Sequence, residues 1–177
     1  MGADGQPLGT VLRLGAVYGS RIKGNYERLL RALACNRFIP IGSGLNRRTL
    51  VYDKDVGRAA VLTVSHPAAA GRVFNVTDGE FHTLNEIIES ICSALGRKPP
   101  RWSLPVGPTR GLIGLVETGC RSISLKPPVT RAIIDKYTED IAVDGSLIQK
   151  ELGFVPQYDL KTGWEETIRE MRKTGQL

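Results

Sequence analysis

Two short stretches of this chain carry residue types suited to binding an anion, Lys23-Gly24-Asn25 and Arg47-Arg48. At the first, a glycine turn meets the start of a helix. Unpaired backbone N–H groups and the positive end of the helix dipole suit such a place to a phosphate. Lys23 would add a point charge there, and Asn25, as the expected N-cap, a neutral hydrogen bond. At the second, Arg48 begins a strand after a turn over 42–46, and its planar fork can hold a phosphate through two parallel N–H···O bonds. Each stretch also has a plainer reading. The first is then an ordinary helix cap beside an exposed lysine, and the second an exposed edge-strand arginine, which is how Arg47 reads.

Groups that would make and break bonds do not assemble in this way. The two histidines, His66 and His82, have no partnered Ser or Cys motif and no metal-ligand spacing, and the three cysteines, Cys35, Cys92 and Cys120, form no CxxC or Cys/His pattern. Cys92 lies on the apolar face of an expected helix and reads as a reduced structural thiol. Asp53 and Asp55 open a helix, where the dipole accounts for them. No catalytic residue and no metal ligand is expected.

The elements that must position Asn25 and Arg48 follow from local pattern. A β-type run over 10–18 (Val11, Leu12, Leu14, Val17) closes at Gly19 and reads as a buried strand. A helix follows with Leu29, Leu30, Leu33 and Ala34 apolar, then a short extended piece over 38–41, then Gly42-Ser43-Gly44. A strand over 48–52 leads into a helix over about 55–65 with Val56, Ala59, Ala60 and Val64 expected inward, and 72–76 is strand-like. Thr83-x-x-Glu86 is a capping box that opens the clearest helix, with Leu84, Ile87, Ile88, Ile91, Cys92 and Leu95 on one stripe and Gly96 as its stop. Beyond Pro99-Pro100 the pattern loosens. It gives an extended 102–104, a helix over 105–123 interrupted by Gly111 and Gly114, a break at Lys126-Pro127-Pro128 and a helix over 129–135. An extended 141–143 follows, then a helix capped by Asp144 and a last one capped by Asp159, lined by Leu160, Trp164, Ile168 and Met171.

A chain of 177 residues that is 41% hydrophobic can bury one core but is short for two. We therefore expect residues 1–9 to be a flexible N-terminal segment and 10–177 a single α/β domain. No apolar run approaches the ~20 residues that cross a bilayer, and the first ten residues lack the layout of a signal peptide. The expected location is the cytoplasm. The net charge of +6 admits an anionic partner. The early cations, from Arg13 to Arg58, are spread over several elements with few aromatics between them, and no RRM, KH or helix-turn-helix signature is present. Neither nucleic acid nor a membrane is expected as a partner, and a small diphosphate needs only two or three of these cations.

Three blocks, taken in order, resemble a known family: Leu14-Gly15-Ala16-Val17-Tyr18-Gly19, then Lys23-Gly24-Asn25-Tyr26, then Arg47-Arg48-Thr49-Leu50-Val51-Tyr52-Asp53-Lys54-Asp55-Val56. Together they resemble the later half of the extended short-chain dehydrogenase/reductases, closest to the NAD-dependent nucleotide-sugar epimerases and dehydratases. The resemblance runs from Thr10 to Met171. It implies an α/β fold made of the last strands of a Rossmann-like sheet plus a small mixed α/β substrate-binding subdomain. It implies that Arg48 and Asn25 hold the diphosphate of a UDP-sugar, that Ile39 and Ile41 line the base pocket, and that the backbone at Gly15 passes the nicotinamide. It also implies the mechanism of the complete enzyme, in which hydride passes transiently from a sugar carbon to bound NAD and returns.

The sequence departs from the family pattern in several places. Ala16 stands where many epimerases keep a substrate-contacting asparagine, and the second diphosphate arginine has no counterpart, Lys136 being the nearest cation. None of the five tyrosines is followed four positions later by the lysine that would lower a phenol pKa in the redox step. Gly107-x-x-x-Gly111-x-x-Gly114 is superficially like a dinucleotide fingerprint, but it lacks the tight turn and the acid ~20 residues on, and close helix packing is the better account of it. No cofactor is therefore expected to bind this chain alone. Three functions stay open: the substrate-binding part of an epimerase/dehydratase, inactive without a separate NAD-binding half; a stand-alone nucleotide-sugar-binding or assembly module; and a basic domain for nucleic acid. The first carries a corollary, that the strand over 10–18 is left as an exposed apolar edge.

Overall fold

The structure is a computed structural model that describes residues 9–122 and 130–177, with only the backbone described at 121 and 122. The expected break at Lys126-Pro127-Pro128 and nearly all of the 1–9 segment lie outside the described residues. In chain order the elements are strands β1 (Val11–Leu14) and β2 (Ala16–Tyr18), helix α1 (Asn25–Ala34), strands β3 (Arg47–Arg48) and β4 (Leu50–Tyr52), and helix α2 (Asp53–Ser65). After a 3-10 turn come β5 (Val73–Val76), β6 (His82–Thr83) and α3 (Leu84–Leu95). Helices α4 (Val106–Ser122), α5 (Arg131–Thr138), α6 (Ser146–Leu152) and α7 (Leu160–Lys173) complete the chain.

The run over 10–18 is two strands, not one. β1 pairs in parallel with β5, Val11 opposite Val73, and β2 pairs in parallel with β4, Ala16 opposite Leu50. The change of partner falls at Gly15, whose N–H donates to the Val76 carbonyl while the Ala16 N–H donates to that of Thr49. A Cβ on Gly15 would lie 3.1 Å from the Thr49 carbonyl oxygen. Only a residue without a side chain lets the two backbones cross so closely. The expected burial of this run is corrected, because Val11, Leu14 and Val17 are 53%, 44% and 39% exposed. Each of β1 and β5 has a single hydrogen-bonded neighbour among the described residues, and Val11, Leu14 and Val73 on them are exposed.

β4 is buried on both faces. Leu50 and Tyr52 enter one apolar cluster and Val51 the other, and all three are fully buried. This is the period of two that strand geometry imposes, and burying such side chains contributes roughly 1.5–3 kcal/mol each. The larger cluster gathers β2, β4, α1, α3 and α7. Its centre is aromatic: Tyr18 stacks on Trp164 at 4.7 Å and lies 5.5 Å from Tyr52. The Tyr18 hydroxyl donates to the Asp159 carbonyl at the cap of α7. The smaller cluster joins Val51, Ala59, Phe74 and Val76 to Ile148, Leu152 and Phe154 around α6.

Local signals set most helix ends. Thr83 and Glu86 form the expected capping box, with the Glu86 N–H donating to Thr83 Oγ1 and the Thr83 N–H to Glu86 Oε2. Asp159 caps α7 through the Thr162 N–H at 2.7 Å, and Asp144 accepts the Ser146 N–H one residue ahead of the Gly145 cap of α6. Cys92 is buried and free, and burial raises its thiol pKa. In α2 the inward face is Asp55, Ala59 and Thr63, whereas Ala60 and Val64, expected inside, face outward. That helix is apolar on most sides, so its period could not select the face. The pieces over 102–104 and 141–143 are not strands but single bridges, Ile41 to Leu104 and Arg48 to Ile141.

Candidate functional site

α1 begins where the β2 strand ends and the chain turns, with the Ile22 N–H donating to the Gly19 carbonyl. The expectation that Asn25 is the N-cap is corrected. The cap is Gly24, with φ 87 and ψ −138, and Asn25 is the first helical residue. A cap residue must leave helical φ and ψ, and a glycine reaches positive φ without the steric cost an asparagine would meet. No side chain caps this end. The first turn of α1 therefore presents its N–H groups with Lys23, Gly24 and Asn25 all exposed around them.

Arg48 is the second residue of β3. It stands opposite His82 in the antiparallel β3–β6 pair. Its charge reaches Tyr26, the second residue of α1: burial raises the Tyr26 phenol pKa and Arg48 works against the rise. Arg48 is not the loose strand-end fork that sequence suggested. It is half-buried, and Nη2 donates 2.9 Å bonds to both the Lys136 and Tyr137 carbonyls, closing the C-terminal end of α5. A cation is well placed at that negative helix end. Arg47 is exposed, with its guanidinium 4.4 Å over the Phe81 ring and its N–H on Asp140.

Ile41 lies beside Tyr137, and Gly15 beside Thr49. Ile41 is half-buried beside the Leu104 bridge, next to Tyr137. Burial pushes the Tyr137 phenol up to about 12 against the Arg48 charge, and its hydroxyl is buried without a hydrogen bond of good geometry. Gly15 packs on Thr49, the residue after Arg48. The buried Thr49 in turn accepts the Val143 N–H on its hydroxyl. Lys23 and Asn25 thus stand at the start of α1, whereas the Arg48 guanidinium is engaged at the C-terminal end of α5, with Ile41 beside Tyr137 and Gly15 against Thr49.

A cleft of about 360 Å³ opens beside the 42–46 loop, lined among others by Gly42, Asn46, Val106, Thr138 and Asp140. With the carbonyl end of α5 and an aspartate in its wall, it suits an anion less well than the α1 side does. One polar pair near Arg48 escaped sequence reasoning. His82 Nε2 and Asp78 Oδ2 lie 2.7 Å apart, both side chains largely buried. Burial disfavours the imidazolium, yet the Asp78 bond and the charges of Asp78, Glu86 and Glu80 together raise the His82 pKa. The only signal available was an Asp and a His four residues apart across the turn at Gly79.

The glycines of α4 do not form a dinucleotide fingerprint. Gly107, Gly111 and Gly114 lie inside α4, not at a strand-to-helix turn, and of the three only Gly114 packs closely, against the Arg131 side chain. The close approach at Gly15 is to the backbone of β4, which leaves no cradle there. Nor do the cations form one face. Lys54 bonds Glu166 and Glu170, Arg58 bonds Asp55, Arg72 bonds Glu151 and Arg31 bonds Glu27. Among the described residues no cluster of His, Cys, Asp and Glu could hold a metal, and no helix is long and apolar enough to cross a membrane.

No family model matches the sequence. Among curated proteins it is 30% identical over 160 residues to a UDP-glucose 4-epimerase from Vibrio cholerae, covering 90% of this chain and 45% of that one. It is 24% identical over 165 residues to the N-acetyl-alpha-D-glucosaminyl-diphospho-ditrans,octacis-undecaprenol 4-epimerase of Escherichia coli O157:H7, covering 90% and 48%. The fold matches the Thermotoga maritima UDP-glucose 4-epimerase with UDP-glucose at a TM-score of 0.63 and 23% identity, over 93% of this chain and 46% of that one. It matches the Bacillus cereus UDP-glucuronic acid 4-epimerase, in complex with UDP-glucuronic acid and NAD, at 0.62 and 19%, over 93% and 45%. The chain spans about half the length of the curated relatives it matches. Over nearly all of its length the chain is thus similar in sequence to about half of a nucleotide-sugar epimerase, and its α/β fold matches the corresponding part of solved epimerase structures.

Proposed function

We propose that this chain is the sugar-diphosphate-binding part of an epimerase/dehydratase and is inactive without a dinucleotide-binding half. The observation that carries the reading is the uncapped first turn of α1, with Lys23 and Asn25 exposed on it and the Arg48 charge reaching it at Tyr26. Backbone N–H groups, a helix dipole and the Lys23 charge lie there, with the Arg48 charge acting on the same turn through Tyr26, which suits a doubly charged diphosphate. Both curated relatives are named for a substrate in which a sugar is carried on a diphosphate, and that is the part of a ligand this turn would contact. Fixing the diphosphate orients the sugar for chemistry supplied elsewhere, a contribution of position and not of proton or hydride transfer. The free β1 edge is where a further strand would pair.

The test is calorimetric titration of the chain with UDP-glucose, beside a separate titration with NAD. Saturable UDP-glucose binding and no NAD binding are expected. Arg48→Ala also removes the two bonds that close α5, so Asn25→Asp is the cleaner variant. An aspartate in the first turn favours the helix yet places a negative charge beside the diphosphate, weakening binding about tenfold or more. Equal affinity in wild type and Asn25→Asp would move the diphosphate away from α1.

A further inference from the structure

Helix α4 is inside out. Its polar side faces α5: Arg110 holds Asp135 through two bonds of 2.9 and 3.1 Å, and Glu117 accepts the Arg131 N–H. Its outward side carries Pro108, Leu112, Leu115 and Val116, together with Gly111 and Gly119, at three- and four-residue spacing. Leu112 is 64% exposed, Leu115 73% and Val116 44%. No charged residue interrupts this stripe. An ordinary surface helix places its apolar stripe against the core and its charges in water. Just before α4, Trp102 is 85% exposed, and the exposed Arg97, Lys98 and Arg101 lie within five residues of it.

We propose that this surface rests on an anionic lipid bilayer, with α4 in the plane of the interface, Leu112, Leu115 and Val116 among the acyl chains and Trp102 at headgroup depth. An apolar helix face that closely follows an exposed indole and three exposed cations in the chain has the composition of an interfacial helix. Tryptophan favours the boundary between apolar and wet surroundings. Arg97, Lys98 and Arg101 then meet lipid phosphates, and the attraction grows with the negative surface potential. Lying on a membrane needs no spanning helix, and α4 does not qualify as one. Charge complementarity favours this occupant over a second copy of the chain, since each copy carries a net charge of +6. This inference is independent of the diphosphate reading and changes the expectation that no membrane is a partner.

Vesicle flotation of the whole 177-residue chain tests it, with phosphatidylcholine vesicles containing or lacking phosphatidylglycerol, read together with tryptophan emission. Trp164 is fully buried, so a blue shift on binding reports Trp102. The chain should float with the anionic vesicles, shift its emission, and remain largely behind with the neutral ones. Leu112→Glu/Leu115→Glu should abolish flotation without changing the melting temperature, because both side chains are exposed. Arg97→Gln/Lys98→Gln/Arg101→Gln should weaken binding on the order of a hundredfold, at about fivefold per cation near such a surface. Absence of binding to anionic vesicles, or flotation unchanged by the leucine substitutions, overturns the proposal. So does a concentration-dependent dimer that the leucine substitutions dissolve, which would assign the stripe to a second copy.

Discussion

Replacing Asp55 by alanine should cost about 3 kcal/mol of folding stability, far more than removing its ion-pair partner Arg58. Asp55 is fully buried at the first turn of α2. Its carboxylate accepts the Gln157 N–H at 3.1 and 3.0 Å and the Tyr158 N–H at 3.0 Å, and it pairs with Arg58 Nη1 at 2.8 Å. A hydrogen bond to a charged group contributes about 1.5–3 kcal/mol, and two such backbone donors would lose their acceptor together. The figure stays near the low end of the sum because Gln157 is exposed and its N–H can turn to water. The Arg58 side chain is 40% exposed, so its pair adds no more than about 1 kcal/mol. For a chain of this size about 3 kcal/mol corresponds to a melting point lower by roughly 6–12 °C. Urea denaturation and thermal melting followed by circular dichroism measure both. If Asp55→Ala and Arg58→Ala cost the same, the carboxylate acts through the ion pair and not as a clamp on 157–158, and the reasoning fails. The clamp matters for the core because it seats Tyr158 4.3 Å from Tyr52 at the entrance to α7.

Three further outcomes are expected. Thr83→Ala opens the capping box of α3 and should lower stability by about 1 kcal/mol, seen as a fall of a few degrees in the melting point. Gly15→Ala places a methyl 3.1 Å from the Thr49 carbonyl of a buried backbone that has no room to retreat. Overpacking of this kind costs about 1–3 kcal/mol, and an unchanged denaturation midpoint would show that β2 and β4 can separate. His82 has a folded pKa above its ordinary 6.5, so its pairing with Asp78 stabilises the fold fully below that value and ceases to do so as pH rises through the folded one. The stability difference between wild type and His82→Gln should therefore shrink as pH rises above 6.5 and through the raised folded pKa, and a pH-independent difference would mean that the pair contributes nothing as an ion pair.

Much of the fold was legible because its signals are local. The capping box at Thr83, the cap at Asp159 and the apolar stripes of α3 and α7 act within one or two turns, and each appears where the pattern puts it. The ordered blocks around Gly15, Asn25 and Arg48 carried the family resemblance in the same way. The helix end at Asn25 slipped by one residue, because glycine and asparagine both suit such an end and only the backbone angle separates them.

Other features depended on partners far along the chain. Arg48 reads as a free fork at a strand start until α5, 88 residues on, offers it two carbonyls. Ala60 and Val64 read as core until the second cluster forms on the other face of α2. The glycines of α4 read as packing contacts, yet only Gly114 meets a neighbour, and the leucines between them face outward. What the sequence by itself determined is where helices begin, which runs are apolar and which family they resemble, since hydrogen bonds and backbone angles within a turn answer only to nearby residues. Which face is buried and which cation is already engaged was decided by tertiary structure alone, because burial and charge pairing depend on whatever distant surface folds against them.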